Sequence, residues 1–195
     1  MSTKGEKERL KLKAIEKYKK QLRTFSTDDN LASYLPQGKE NIIKYSDLNN
    51  YNLITDLLPN DKDFKVILVE QQENSGHWTC LMRYNDIVEY FDPYGVKVDG
   101  EFKFIPKIMR KILGENEDRL TYLMKTDAKL KPIYNKKKFQ QLNDNIATCG
   151  RHCICRINMM KMGYTLPEYI DFMERTKEEY GKPFDILVCD FTKEY

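Results

Sequence analysis

The spacing of apolar and polar residues predicts a β-sheet in the middle of the chain, with helices on either side of it. Residues 6–25 carry apolar side chains at helical spacing among charged residues. Residues 64–71 have a clear strand pattern. Two further β-prone runs, Thr79 to Tyr84 and Ile87 to Phe91, are separated by Asn85-Asp86, a pair that favours tight turns. We therefore expect three strands, the last two forming a hairpin, at the centre of the sheet.

Turn signals divide the rest of the chain into shorter elements. Gly163 and Gly181 stand directly after two long helical patterns. The segments predicted as helices are residues 30–34, 46–57, 106–113, 149–162 and 166–180, and those predicted as further strands are residues 129–140 and 185–191. The expected fold class is α+β, a central, mostly antiparallel β-sheet with surrounding helices. The 195 residues fit a single domain, 1–195, with a basic N-terminal helix, 1–25, and a core that carries the candidate chemistry, 64–191.

The positive charge is concentrated at the start of the chain. The net charge is +3, but residues 1–24 hold nine basic and three acidic residues, a net charge of +6. Such a patch attracts phosphate backbones, although lysine is also ordinary solvated surface, so both interpretations stay open. The first residues lack the hydrophobic segment of a secretory signal, and no apolar run reaches bilayer length. We expect a soluble, intracellular monomer without membrane contact.

The five cysteines are an odd number in a chain of this size, which argues for free thiols in a reducing compartment. A particular cysteine would then matter for its reactivity. Cys149 opens a predicted helix, where unpaired backbone N–H groups and the helix dipole stabilise a thiolate. Gly150 behind it has no side chain to crowd an approaching substrate. This setting is typical of a cysteine nucleophile.

A cysteine nucleophile needs a base, and the chain contains only two histidines, His77 and His152. His152 follows Cys149 by three residues, so its ring is expected to point outward from the next helical turn, with poor geometry for accepting the thiol proton. His77 comes from the sheet and can face the start of the helix. Asp92 lies at the same end of the hairpin and can hold the His77 ring in the required tautomer. We therefore expect His77 to be the base and Asp92 the orienting acid.

A glutamine upstream of Cys149 completes the candidate site. Gln140 or Gln141 would donate a hydrogen bond, together with the Cys149 N–H, to the oxyanion of an acyl-transfer reaction. Gln140 is favoured because it follows Phe139, which is expected to face the core at the end of a strand. Gln141 stays open as the alternative.

The cysteines around His152 also allow a metal cluster as an alternative. Its ligands would be Cys149, His152, Cys153 and Cys155, but their spacing along one helix scatters them over several faces. Cys153 and Cys155 are instead expected to be small, buried helix residues. Neither a metal nor an organic cofactor is expected.

The two informative stretches together resemble a protease family. GHW followed by a hairpin and FDPYG, then a glutamine and TCG before a helix, resembles the adenain-type and ubiquitin-like-protein-processing cysteine proteases. The resemblance covers residues 64–157 and keeps that family's order of His, acid, Gln and Cys. It implies an adenain-like fold with a Cys-His-Asp triad of Cys149, His77 and Asp92, and with Gln140 or Gln141 as oxyanion donor. The loop between glutamine and cysteine is one or two residues longer than is usual in the family.

Two details are similar to the viral branch of that family. The DPYG turn resembles that of adenovirus-type maturation proteases, and ATCGRH resembles the site in proteases of large DNA viruses and virophages. The resemblance implies a cysteine endopeptidase that cleaves capsid or core precursors after small residues, in the virion or the host cytoplasm. It also implies activation by DNA or a peptide. The alternatives are a protease that processes or deconjugates ubiquitin-like modifiers, and a non-enzymatic protein that binds nucleic acid or capsid through its basic N-terminus.

Overall fold

A five-stranded sheet forms the centre of the protein in a computed structural model, which describes residues 4–24, 27–35, 38–115 and 117–192. The strands are β1 (Ile42–Lys44), β2 (Phe64–Gln72), β3 (Ser75–Tyr84), β4 (Ile87–Phe91) and β5 (Lys131–Tyr134), in the order β1-β2-β3-β4-β5. The predicted centre of the sheet is confirmed, because β2, β3 and β4 pair antiparallel. The two outer strands pair in parallel with their neighbours. The sheet is therefore mixed and not mostly antiparallel, since long crossovers join β1 to β2 and β4 to β5.

Helices cover both faces of this sheet. The α-helices are α1 (Lys4–Arg23), α2 (Asp28–Tyr34), α3 (Ile54–Leu57), α4 (Lys107–Ile112), α5 (Arg119–Leu123), α6 (Cys149–Lys161), α7 (Leu166–Tyr180) and α8 (Phe184–Phe191), and the 3₁₀ helices are Gly38–Asn41, Tyr45–Asn50 and Gly100–Phe104. Alternate residues of β2 enter two cores: Val66 and Leu68 pack in the one that contains α6, α7 and α8, whereas Ile67 and Val69 pack in the other. The α+β class is thus confirmed.

The C-terminal segment is a helix, so the strand predicted over 185–191 is wrong. Phe184, Leu187 and Val188 are all buried, and their spacing of three and four residues places them on one helical face. This face packs in the same core as α6. A short apolar run does not by itself distinguish a strand from a helix, and here tertiary packing decides.

Two other predicted elements are shorter than expected. The strand predicted over 129–140 ends at Tyr134, because the next residues turn away from the sheet and the N–H groups of Phe139 and Gln140 both donate to the carbonyl of Pro93, at 2.9 Å each. The helix predicted over 46–57 is divided into the 3₁₀ helix Tyr45–Asn50 and α3. The Asp56 carboxylate accepts a hydrogen bond from the Leu53 N–H at 3.1 Å and so begins a new helix there.

The basic helix α1 packs on the body of the protein. The Tyr18 hydroxyl donates to Asp190 of α8 at 3.2 Å, and the carbonyl of Leu22 accepts a hydrogen bond from the N–H of Ala147 at 2.6 Å. The helix thus ends beside the loop that leads to Cys149. Phe25, at the end of the predicted helix, lies outside the described residues. Among the described helices, none has the length and apolar character needed to span a membrane.

Candidate active site

A histidine and an aspartate form a buried pair at one end of the central hairpin. Nε2 of His77 lies 2.9 Å from Oδ1 of Asp92, and both side chains are at least 95% buried. β3 begins at Ser75, earlier than predicted, so His77 lies within the strand. Gly76 permits this, because a Cβ there would lie 2.0 Å from the carbonyl oxygen of Val69 on the neighbouring strand.

The DPYG turn and a buried asparagine hold Asp92 in place. The Tyr94 N–H donates to Oδ1 of Asp92 at 2.7 Å. The Asn135 side chain accepts from the Asp92 N–H at 2.8 Å and donates to the Asp92 carbonyl at 2.7 Å. Gly95 has φ +72°, and a Cβ there would lie 2.9 Å from the carbonyl oxygen of Lys136. The acid therefore has little freedom to move away from His77.

This environment favours the imidazolium form of His77. Burial alone would lower its pKa, but the charge and hydrogen bond of Asp92, with a smaller contribution from a hydrogen bond to Cys149, raise the pKa of His77 well above its usual value. The Tyr94 ring stacks on the imidazole at a centroid distance of 4.4 Å. His77 is thus charged at neutral pH and lies between an acid and a thiol.

Cys149 is the first residue of α6, as predicted, and it lines a cleft of about 700 Å³ together with His77, Trp78 and Gln140. It is 9% exposed, whereas Cys153 is completely buried. Burial raises the pKa of Cys153 well above its usual value and raises the pKa of Cys155 to about 12. These two are the buried helix residues that we predicted, and their thiols stay protonated at neutral pH.

Of the two candidate glutamines, Gln140 faces the cleft. Its side chain is buried, and its Nε2 donates to the Tyr94 hydroxyl and to the Ile146 carbonyl, each at 3.2 Å. Gln141 is exposed to solvent, and its backbone N–H donates to Oδ2 of Asp185 at 3.2 Å. The geometry therefore favours Gln140 over Gln141 as the glutamine that lines the cleft beside Cys149.

The expectation that the His152 ring points outward is wrong. His152 is completely buried, with Nε2 3.1 Å from Oδ1 of Asp185 in α8, because α8 packs on this side of α6. Burial lowers the pKa of His152 despite Asp185, so the ring is neutral. The Thr148 hydroxyl also donates to Asp185, at 2.5 Å. Through Thr148 and the Gln141 N–H, Asp185 holds both ends of the loop that precedes Cys149.

A second carboxyl group lies behind the His77–Asp92 pair. One ligand atom from each of His77, Asp92 and Glu101 lies within 4.8 Å of the others, and all three residues are buried. Burial, with a contribution from Asp92 and against the effect of His77, raises the pKa of Glu101 to about 7. These residue types can hold a metal ion, but an imidazolium and a neutral carboxylic acid are poor ligands.

Sequence reasoning missed Asn135, Glu101 and Asp185, because only the folded structure brings these residues next to the site. No motif marks any of the three. Tyr94 had a usable signal, because it belongs to the DPYG turn that we had singled out.

Comparison with known proteins identifies a viral relative. No protein-family model matches the chain. The uncharacterized protein V9 of Sputnik virophage is 36% identical to it over 139 residues, which cover 70% of this chain and 78% of V9. This level of identity over most of both sequences shows common descent. The protein therefore belongs to the same family as the Sputnik virophage protein V9.

Proposed function

We propose that this protein is a cysteine endopeptidase. The observation that carries the proposal is the hydrogen-bonded His77–Asp92 pair, which lies in one cleft with a cysteine at a helix start. Gln140 adds a hydrogen-bond donor to the same cleft. Nucleophile, base, orienting acid and oxyanion donor are the groups that acyl transfer by a thiol requires.

The proposed reaction proceeds through an acyl-enzyme. The Cys149 thiolate attacks the peptide carbonyl, and the oxyanion that forms accepts hydrogen bonds from Nε2 of Gln140 and from the Cys149 N–H. The His77 imidazolium then gives its proton to the leaving amine, and the C–N bond breaks. His77 next removes a proton from water, which attacks the thioester carbonyl; the C–S bond then breaks, the acid product leaves, and the Cys149 thiolate and His77 imidazolium are restored. Asp92 keeps the imidazole oriented throughout.

We propose a role in virion maturation, with capsid or core precursor proteins as substrates. Kinship with a virophage protein supports a viral role, and the sequence resemblance supports an adenain-like fold. The enzyme would act as a monomer in the virion or in the host cytoplasm. The basic helix α1 ends beside the loop that precedes Cys149, and DNA bound to this helix would act on the site through that loop.

We propose that Trp78, which lines the cleft beside Cys149, leaves room only for small residues, above all glycine, just before the scissile bond. The test offers the enzyme short glycine-containing capsid-type peptides and, separately, ubiquitin-like proteins with C-terminal reporters, with Cys149→Ala as the inactive control. We expect cleavage of the peptides. If kcat/KM for the folded modifiers is higher by about 100-fold or more, which is near the upper end of what one pocket contact provides, the enzyme is a modifier protease. Absence of cleavage in both arms contradicts the proposed activity.

A further inference from the structure

Glu101 is a buried carboxyl group for which the proposed reaction has no use. It belongs to the 3₁₀ helix Gly100–Phe104, is 3% exposed and lies against the pair formed by His77 and Asp92. Oδ1 of Asp92 already accepts hydrogen bonds from His77 and from the Tyr94 N–H. Within the described part of the chain, Oδ2 of Asp92 and Oε1 of Glu101 are both buried without a hydrogen-bond partner. These two oxygens are therefore available to each other.

When two carboxyl groups lie this close together and are buried, the pKa of one of them is raised, because their charges repel and water does not screen them. Asp92 is the one that faces the imidazolium, so it keeps the negative charge. The proton then resides on Glu101. The raised pKa of Glu101, about 7, has burial as its largest cause and agrees with this division.

We propose that Glu101 is a positioning residue that, as a neutral carboxylic acid, donates a hydrogen bond to Oδ2 of Asp92 and so keeps Oδ1 aligned with His77. This inference rests on the proposed cysteine-protease function. It adds a fourth member behind the triad, which touches neither the substrate nor the reacting atoms.

Among the described titratable groups around Glu101, Glu101 itself is the one that changes charge near neutral pH. Five of the described titratable groups interact with Glu101. They come from β3, from β4 and the turn after it, and from the helix that carries Glu101: His77, Tyr90, Asp92, Tyr94 and Lys103. Burial raises the pKa of both tyrosines well above the physiological range, so they stay neutral. When Glu101 loses its proton, its hydrogen bond is lost and a second negative charge faces Asp92. Turnover should therefore fall as the pH rises through about 7.

The test compares kcat/KM against pH for the wild type, Glu101→Gln and Glu101→Ala. Glutamine still donates a hydrogen bond but does not ionise, so Glu101→Gln should keep wild-type turnover at acidic pH and lose the decline near pH 7. Glu101→Ala should lose about 10-fold to 100-fold at acidic pH, because Asp92 is no longer held, and the loss should shrink above about pH 7, where the wild type has lost the same hydrogen bond. Glu115→Gln is the matched control: Glu115 is also buried with a pKa raised to about 7, but its carboxylate accepts a hydrogen bond from the Glu70 N–H, away from the triad. This control should keep the wild-type pH profile.

Histidine NMR tests the role of Glu101 without requiring that the protein cleave a peptide. The chain has two histidines, so ¹⁵N-histidine NMR resolves the His77 ring from the buried, neutral ring of His152. The His77 signals should show a step at about pH 7 in the wild type that is absent in Glu101→Gln. If the step and the pH profile are unchanged in a folded Glu101→Gln protein, Glu101 is not a positioning residue. If the step is present but the wild type cleaves no peptide, the protease proposal fails and the Glu101–Asp92 hydrogen bond stands.

Discussion

Replacing Asp92 with asparagine removes a buried charge while keeping the size of the side chain. Burial alone lowers the pKa of His77, and the charge and hydrogen bond of Asp92 are the largest effects that reverse this. In Asp92→Asn the pKa of His77 should therefore fall, and a smaller fraction of the imidazole should be charged at pH 7. The asparagine amide can also hold the wrong tautomer of the ring.

The expected loss in kcat/KM is large. The equivalent change in a serine-protease triad lowers kcat by about 10⁴, or about 5 kcal/mol of transition-state stabilisation. A thiol is a better nucleophile than a hydroxyl, so we expect a loss of about 10² to 10⁴ here. Part of the loss should appear without substrate, since the alkylation of Cys149 by iodoacetamide at pH 6 should slow by about 10-fold when the imidazolium is gone.

The assay measures peptide hydrolysis and, by mass spectrometry, the rate at which Cys149 is alkylated between about pH 5 and pH 9. Asp99→Asn is the control, because it removes another largely buried carboxylate that lies outside the cleft. The Asp99 carboxylate accepts a hydrogen bond from the Tyr45 hydroxyl at 2.7 Å. It should leave both rates close to those of the wild type. If a folded Asp92→Asn protein retains both rates within about twofold, less than the effect of one ordinary hydrogen bond, then Asp92 does not orient the base.

Three further predictions concern the oxyanion donor, the core and the basic helix. Gln140→Ala should lower kcat by about 10² to 10³ with little change in KM, and Gln141→Ala should be mild; steady-state kinetics with the opposite result would exchange their roles. Glu89 and Arg156 form a completely buried ion pair. Glu89→Ala leaves the Arg156 charge buried and without this partner, and should lower the free energy of unfolding in urea by about 3 to 5 kcal/mol. Unchanged stability would show that water reaches this pair. DNA should raise peptidase activity at low salt and lose its effect as salt increases, whereas a flat response would mean that the lysines of α1 are only solvated surface.

Elements with strong local signals were predictable from sequence. The turn at Asn85-Asp86 sets the hairpin, and Asn85 has the positive φ, 52°, that such a turn requires. The helix α7 ends where predicted, and α6 ends one residue early, at Lys161, because Gly181 and Gly163 adopt positive φ just after these helices. The segment 185–191 was mispredicted because its apolar run fits either kind of element until it is packed against α6.

The residues of the site were likewise predictable only where a local sequence signal marked them. His77 and Asp92 could be paired from sequence because a hairpin brings its two ends together. Asp185 and Glu101 could not, since they reach the site from distant parts of the chain and lie next to no motif. The error in α8 had a direct consequence, because a strand at Asp185 gave no reason to expect a carboxylate beside His152.

The most direct test of the cysteine-protease assignment is covalent labelling with a peptide that ends in a glycine vinyl sulfone. A thiolate that is held beside a substrate-binding cleft adds to this group, and peptide mapping then identifies the cysteine that carries the adduct. We expect a single adduct on Cys149 in the wild type, and none at that position in His77→Ala. Faster labelling of Cys80 or Cys189, together with peptide cleavage that survives Cys149→Ala, would contradict it.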